Sequence, residues 1–141
     1  MSVKDIASNL EVIKIEDFAV SANGQLVSTV ALDMADFEEG LVVAGNCTSY
    51  TDGDHVIGFQ ESSDDGASDP YADIAAEKII GSDAGRTVDA VTADGDSEKK
   101  AGCFSTKRYI KITIDSTGVT TGAAITVNAI RKGELLPVAE A

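Results

Sequence analysis

Gly102-Cys103-Phe104-Ser105-Thr106-Lys107-Arg108-Tyr109-Ile110-Lys111-Ile112-Thr113-Ile114-Asp115-Ser116 runs through Thr117-Gly118-Val119-Thr120-Thr121-Gly122 into Ala123-Ala124-Ile125-Thr126-Val127-Asn128-Ala129-Ile130-Arg131-Lys132, and this stretch decides the fold class. Arg108, Ile110, Ile112 and Ile114 fall on one face of an extended chain, and Lys107, Tyr109, Lys111, Thr113 and Asp115 on the other. Alternation with period two in β-branched residues marks a half-buried antiparallel strand. Ile125, Val127 and Ala129 then share a face opposite Thr126 and Asn128. Two such runs joined by a Gly/Thr loop read as a closing hairpin.

Working outward, further strands are expected over residues 10–20, 25–32, 41–50, 55–61 and 86–93. In the first, Val12, Ile13, Ile15, Phe18 and Val20 are the core donors; in the second, Leu26, Val30 and Leu32 share a face. Ile57 and Phe59 point inward from the fourth. Ser21-Ala22-Asn23-Gly24 and Thr51-Asp52-Gly53-Asp54 are turn signals, since Asn and Gly supply the positive φ that tight turns need. Residues 33–40 read as a bent connection or a single helical turn. Residues 62–70 and 94–101 read as loops, and 71–80 as extended or mixed structure despite some helical propensity.

About eight short strands at a spacing near 8–12 residues predict an all-β antiparallel sandwich or barrel over residues 10–132. Residues 1–9 and 133–141 then form short N- and C-terminal arms. A length of 141 residues suits one domain with a real core. Hydrophobic residues make up 43% of the chain, which excludes a disordered polyanion, but aromatics are only 5% and Trp is absent. The core must therefore be built from Val, Ile, Leu and Ala.

The net charge of −13, from 24 acids and 11 bases, opposes binding to nucleic acid or to an anionic membrane. Most acids lie in residues 33–96, whereas Lys99, Lys100, Lys107, Arg108, Lys111, Arg131 and Lys132 crowd the last third. The pairs Lys99-Lys100 and Lys107-Arg108 lack interleaved aromatics and are expected to bridge to the chain's own acids or to an acidic neighbour. Met1-Ser2-Val3-Lys4-Asp5-Ile6 has no apolar targeting region and no run approaches 18 apolar residues, so the expectation is a soluble chain made in a cytoplasm.

Signals for chemistry are sparse. His55 is the single histidine, and beside a turn it reads as a surface or edge residue. Cys47 and Cys103 are expected to be buried thiols acting as small hydrophobes rather than a disulfide framework. Asp52, Asp54, Asp64, Asp65, Asp69, Asp94 and Asp96 raise the question of calcium, but the Asp-Gly pairs lack the further ligands of an EF-hand loop and read as turn chemistry. No enzyme, no metal and no cofactor is expected.

The order of the pieces resembles the small β-sandwich head decoration (cement) proteins of tailed bacteriophages. Ala31-Leu32-Asp33, Phe37 and Leu41-Val42-Val43 come first. Phe59-Gln60-Glu61-Ser62-Ser63-Asp64-Asp65-Gly66 and Tyr71-Ala72-Asp73-Ile74 follow, then Lys107 to Ile114 and Ala123 to Arg131. The resemblance covers residues 26–132, with 77–86 looking like an insertion. It implies a jelly-roll-like antiparallel β-sandwich and a virion structural protein that binds the outside of the major capsid protein lattice, commonly as a trimer. Partner contacts would fall to the arms, with Leu135, Leu136 and Val138 as apolar anchors and Arg131 and Lys132 leading into them. The alternatives are a tail-tube or fibre-associated β-domain and a calcium-dependent binding sandwich.

Overall fold

The computed structural model describes residues 10–35, 37, 40–81, 91, 92 and 99–132. Its strands are β1 (Leu10–Val20), β2 (Gly24–Asp33), β3 (Gly40–Tyr50), β4 (Asp54–Ser62), β5 (Ala72–Asp73), β6 (Ile79–Gly81), β7 (Lys99–Cys103), β8 (Tyr109–Thr117) and β9 (Ala123–Lys132), with one 3-10 turn at Ala76–Lys78. They form two antiparallel sheets, ordered β1-β9-β3-β7-β6 and β2-β8-β4-β5. The pairing has a simple logic. β1 pairs with β9, β2 with β8, β3 with β7 and β4 with β5, so the chain is one long two-ply ribbon folded back at the 63–71 loop. Rolling that ribbon adds the β9–β3 and β8–β4 ladders and yields a jelly roll, the form of sandwich that the resemblance implies.

The alternation in β8 and β9 does what its spacing dictates. Ile110, Ile112 and Ile114 are buried from one sheet, and Ile125, Val127 and Ala129 from the other. Val43, Cys47, Ile57, Phe59, Ile15, Phe18 and Val20 complete a single core. The two runs are not a hairpin, however: β8 and β9 lie in different sheets, and residues 118–122 arch across the sandwich. Each run buries one full face against the other, which face-to-face packing permits and edge-to-edge pairing does not.

Three such arches meet at one end: 21–23, 51–53 and 118–122. The Asp52 carboxylate accepts the backbone N–H groups of Thr120, Thr121 and Gly122 at 2.8–3.1 Å. Asn23 accepts from the Val119 N–H at 2.8 Å, and the Gly122 carbonyl accepts from the Thr51 N–H at 2.9 Å. Gly122 sits at φ +103°, and a Cβ there would lie 1.8 Å from the Val20 carbonyl oxygen, so only glycine fits.

His55 belongs to this end too, and it is fully buried rather than at the surface. Its Nε2 lies 3.0 Å from the Asp52 carbonyl oxygen, which can only accept, so Nε2 carries a hydrogen. In the neutral ring Nδ1 then accepts from the Ser116 hydroxyl at 2.9 Å. The histidine is thus a polar strut inside the arches. A lone histidine in a sequence does not reveal which serine and which carbonyl will satisfy it.

Other corrections have equally local causes. In β1, Ile15 is an extra residue between Lys14 and Glu16, and this bulge switches the inward phase from Ile13 and Ile15 to Phe18 and Val20. Val12 is left on the outside. In β2, residues 28–30 bulge opposite Ile112, which exposes Val30 and buries Ser28; Leu26, in register with buried Ile114, keeps the inward phase but is partly exposed because β2 is an edge strand. The Ser28 hydroxyl accepts the Ile112 N–H at 3.1 Å and donates to the Val30 carbonyl at 2.7 Å, replacing the lost ladder bonds. Glu16 accepts the Thr29 N–H and hydroxyl at 3.0 and 2.6 Å, tying the two bulged edge strands together. β7 occupies part of the expected 94–101 loop. Its buried residues among those described are Ala101 and Cys103, too small to leave a strand signature. The expected strand over 86–93 falls mostly outside the described residues; Val91 is buried and bridges His55.

Because Ser28 is the sole replacement for a buried ladder bond, Ser28→Ala leaves the Ile112 N–H without its acceptor. Urea unfolding should show a loss of about 2 kcal/mol. An unchanged midpoint would contradict the role given to this hydroxyl.

Candidate interaction surfaces

The sequence pieces that carry the family resemblance are distant in the chain and adjacent in the fold. β2 ends at Asp33, whose carboxylate grips Arg108 through two hydrogen bonds, Nε–Oδ1 at 2.9 Å and Nη2–Oδ2 at 2.8 Å. The same carboxylate accepts the Ala35 N–H at 3.0 Å, which turns the chain toward the other sheet. The Lys107 ammonium pairs with Asp69 at 2.8 Å, and Lys111 stands 4.6 Å above the Tyr71 ring. Ser105 donates a short hydrogen bond to Glu61. The basic pair Lys107-Arg108 is therefore spent on the chain's own acids, as expected.

Arg131 is held in the same way. Its Nε and Nη2 donate to Glu11 at 2.9 and 2.7 Å, its Nη1 donates to the Asp33 carbonyl, and its guanidinium lies 4.0 Å from the Phe37 ring centre. With 14% of its side chain exposed, Arg131 faces inward along the 33–40 crossing. Lys132 takes the opposite face of β9, in register with Leu10 and Gly40. Leu135, Leu136 and Val138 lie outside the described residues, as do both proposed arms.

The 62–71 loop is built by turn chemistry. Ser62 accepts the Gly66 N–H at 2.8 Å, Asp64 accepts the Ser68 and Asp69 N–H groups at 2.7 and 3.0 Å, and Asp69 accepts from the backbone and hydroxyl of Ser63, both at 2.9 Å. The Tyr71 hydroxyl closes on Asp65 at 2.6 Å. Among the described residues no three His, Cys, Asp or Glu side chains are grouped to hold a metal ion; Asp94 and Asp96 lie outside them. Nor is any helix among the described residues long and apolar enough to cross a membrane.

Cys47 and Cys103 are buried and not bridged to each other. Burial, with a smaller push from Glu61, drives the Cys103 thiol up to about 12, so it stays protonated and non-nucleophilic at neutral pH. His55 and Ser116 are enclosed and bonded to each other. Among the described residues, two open grooves share a border of Leu41, Cys103 and Phe104. One, of about 720 Å³, runs past Met34, Phe37 and Arg108; the other, of about 550 Å³, runs over Val42, Ile80, Gly102 and Ile130 on the outside of the five-stranded sheet. Periodicity could not have found either, because both depend on Phe104 lying between strands of different sheets.

No protein-family model matches the chain, and no curated protein matches it. Among solved structures it has a weak likeness to the SPBc2 prophage-derived protein YomS, with 12% identity, 86% of this chain and 93% of that chain covered, and a TM-score of 0.47.

The ion pairs set an acid limit on stability. The Arg108 hydrogen bonds hold the Asp33 carboxyl down to about 2, and the Lys107 hydrogen bond does the same for Asp69. Depressed folded-state values contribute stability above the ordinary carboxylate value of about 4 that is lost as pH falls toward 2. The urea midpoint should therefore drop between about pH 4 and pH 2, and the drop should be shallower in the double variant Asp33→Asn, Asp69→Asn. An identical acid dependence in the variant would contradict this assignment.

Proposed function

We propose that the chain is a non-enzymatic structural protein of a phage virion that binds and stabilises the outer surface of the capsid. The reading is supported chiefly by one observation. Three of the segments with the resemblance, 31–33, 59–74 and 107–114, converge through Asp33–Arg108, Asp69–Lys107 and Tyr71–Lys111 onto one side of a jelly roll, while 41–43 and 123–131 lie in the other sheet. The three thus behave as a unit of the fold rather than as scattered matches. A sandwich whose histidine is a buried strut and whose Cys103 thiol is held protonated puts its function on its surfaces.

Decoration requires many equivalent contacts of modest strength around a closed shell, which together give avidity without high affinity at each site. A trimer at local threefold positions of the major capsid protein lattice meets that need. The arms extend the contact, with Leu135, Leu136 and Val138 as apolar anchors. The chain takes no cofactor, nucleic acid or membrane as partner in this role.

Co-sedimentation with undecorated, expanded capsids of the encoding phage tests the proposal. Saturable binding at a fixed stoichiometry per capsid is expected, weakened when the chain is truncated after Gly133. Absence of binding, with rings or tubes formed by the protein alone, would reject it in favour of a tail component.

A further inference from the structure

We infer that the outer face of the five-stranded sheet is the surface that meets the capsid, and that its counterpart there is an apolar strip flanked by carboxylates. This rests on the decoration reading and adds to it the face and the chemistry of the partner.

The register lays a row straight across the sheet: Val12 opposite Ile130, Ile130 opposite Val42, Val42 opposite Gly102, and Gly102 opposite Ile80. Five strands at about 4.8 Å make this row roughly 19 Å wide. Val12 is 70% exposed, Val42 45% and Ile130 39%, and Phe104 stands 60% exposed at the rim. Apolar side chains aligned as direct cross-strand neighbours form a contiguous patch, unlike scattered surface valines. Gly102 leaves a gap in the row, and the groove of about 550 Å³ opens there. Such a gap accepts a protruding apolar side chain.

Charge names the partner. On a chain of net charge −13, the alternation places one acid on this face among the described residues, Asp17, and it is already paired with Lys14 at 2.8 Å. Lys100 flanks the apolar row through its register with Ala44. Among the described residues this face carries little acid on an acidic molecule, which makes it complementary to carboxylates rather than to a copy of itself. The opposite face of the sandwich differs. There Gln25 and Gln60 both donate to Asp73, at 3.1 and 3.0 Å, and Asp115 lies nearby with its carboxyl pushed up by burial.

The test is co-sedimentation with the same expanded capsids, using wild type, the double variant Val12→Glu, Val42→Glu, and a control pair on the β2 edge, Val27→Glu, Val30→Glu. Lys100→Glu, at an exposed position, probes the charge without disturbing the core, and circular dichroism checks that each variant folds. Binding is expected to weaken at least tenfold for the first pair and measurably for Lys100→Glu, with the β2 pair near wild type. If wild type binds and the first pair and Lys100→Glu bind equally well, or the β2 pair fails instead, the face is wrong while decoration stands. If wild type does not bind, the decoration reading fails and this inference falls with it. If the first pair dissolves an oligomer seen by sedimentation of wild type alone, the face is a contact between copies, which also overturns the proposal.

Discussion

Everything in this molecule depends on two β-branched faces, contributed by strands consecutive in sequence, closing on each other from opposite sheets. Ile110, Ile112 and Ile114 of β8 and Ile125, Val127 and Ala129 of β9 are all buried. Fully burying one such side chain is worth roughly 1.5–3 kcal/mol, so these two strands alone supply a large share of the driving force. The fit is close elsewhere too. At Gly45 an added Cβ would lie 2.8 Å from the tip of Ile57, which reaches across from the other sheet. With no tryptophan and few aromatics, this core works by tight interdigitation of branched aliphatics.

Closing the sandwich forces the chain to cross between layers at its ends, and crossings expose backbone groups that no ladder satisfies. The polar residues of the sequence answer that need. Asp52 gathers the N–H groups of the 118–122 arch, His55 and Ser116 fill the space beneath it, and Asp33 with Arg108 and Arg131 fixes the crossing from β2 to β3. Residues that resemble catalytic or metal-binding material in the sequence are, where described, largely structural fastenings.

Periodicity made the core strands legible. Ile57, Phe59 and the alternating residues of β8 and β9 lie inward as their spacing requires. It did not reveal which strands pair, because a Gly/Thr loop serves an arch between sheets as well as a hairpin within one. Bulges defeated the pattern at Val12, where the single extra residue in β1 reverses the phase, and at Val30, which lies within the β2 bulge; Leu26 kept its phase but sits on an edge strand. β7 was invisible because Ala101 and Cys103 carry so little apolar bulk. That Lys107 and Arg108 would pair with acids was legible, though not whether those acids were the chain's own or a neighbour's, and the burial of His55 needed two partners from other parts of the chain. The outer row of Val12, Ile130 and Val42 emerges only once the register is known.

That row turns a general proposal into an oriented one: a jelly roll lying with its five-stranded sheet toward the shell and its acidic, loop-bearing side toward solvent. An electron cryomicroscopy reconstruction of capsids saturated with the protein examines this orientation directly. Density for a two-layered β-body on the outer surface, with Val12, Val42 and Ile130 at the shell, is the predicted result. The same body docked through the four-stranded sheet, or a bare outer surface after saturation, would contradict the account.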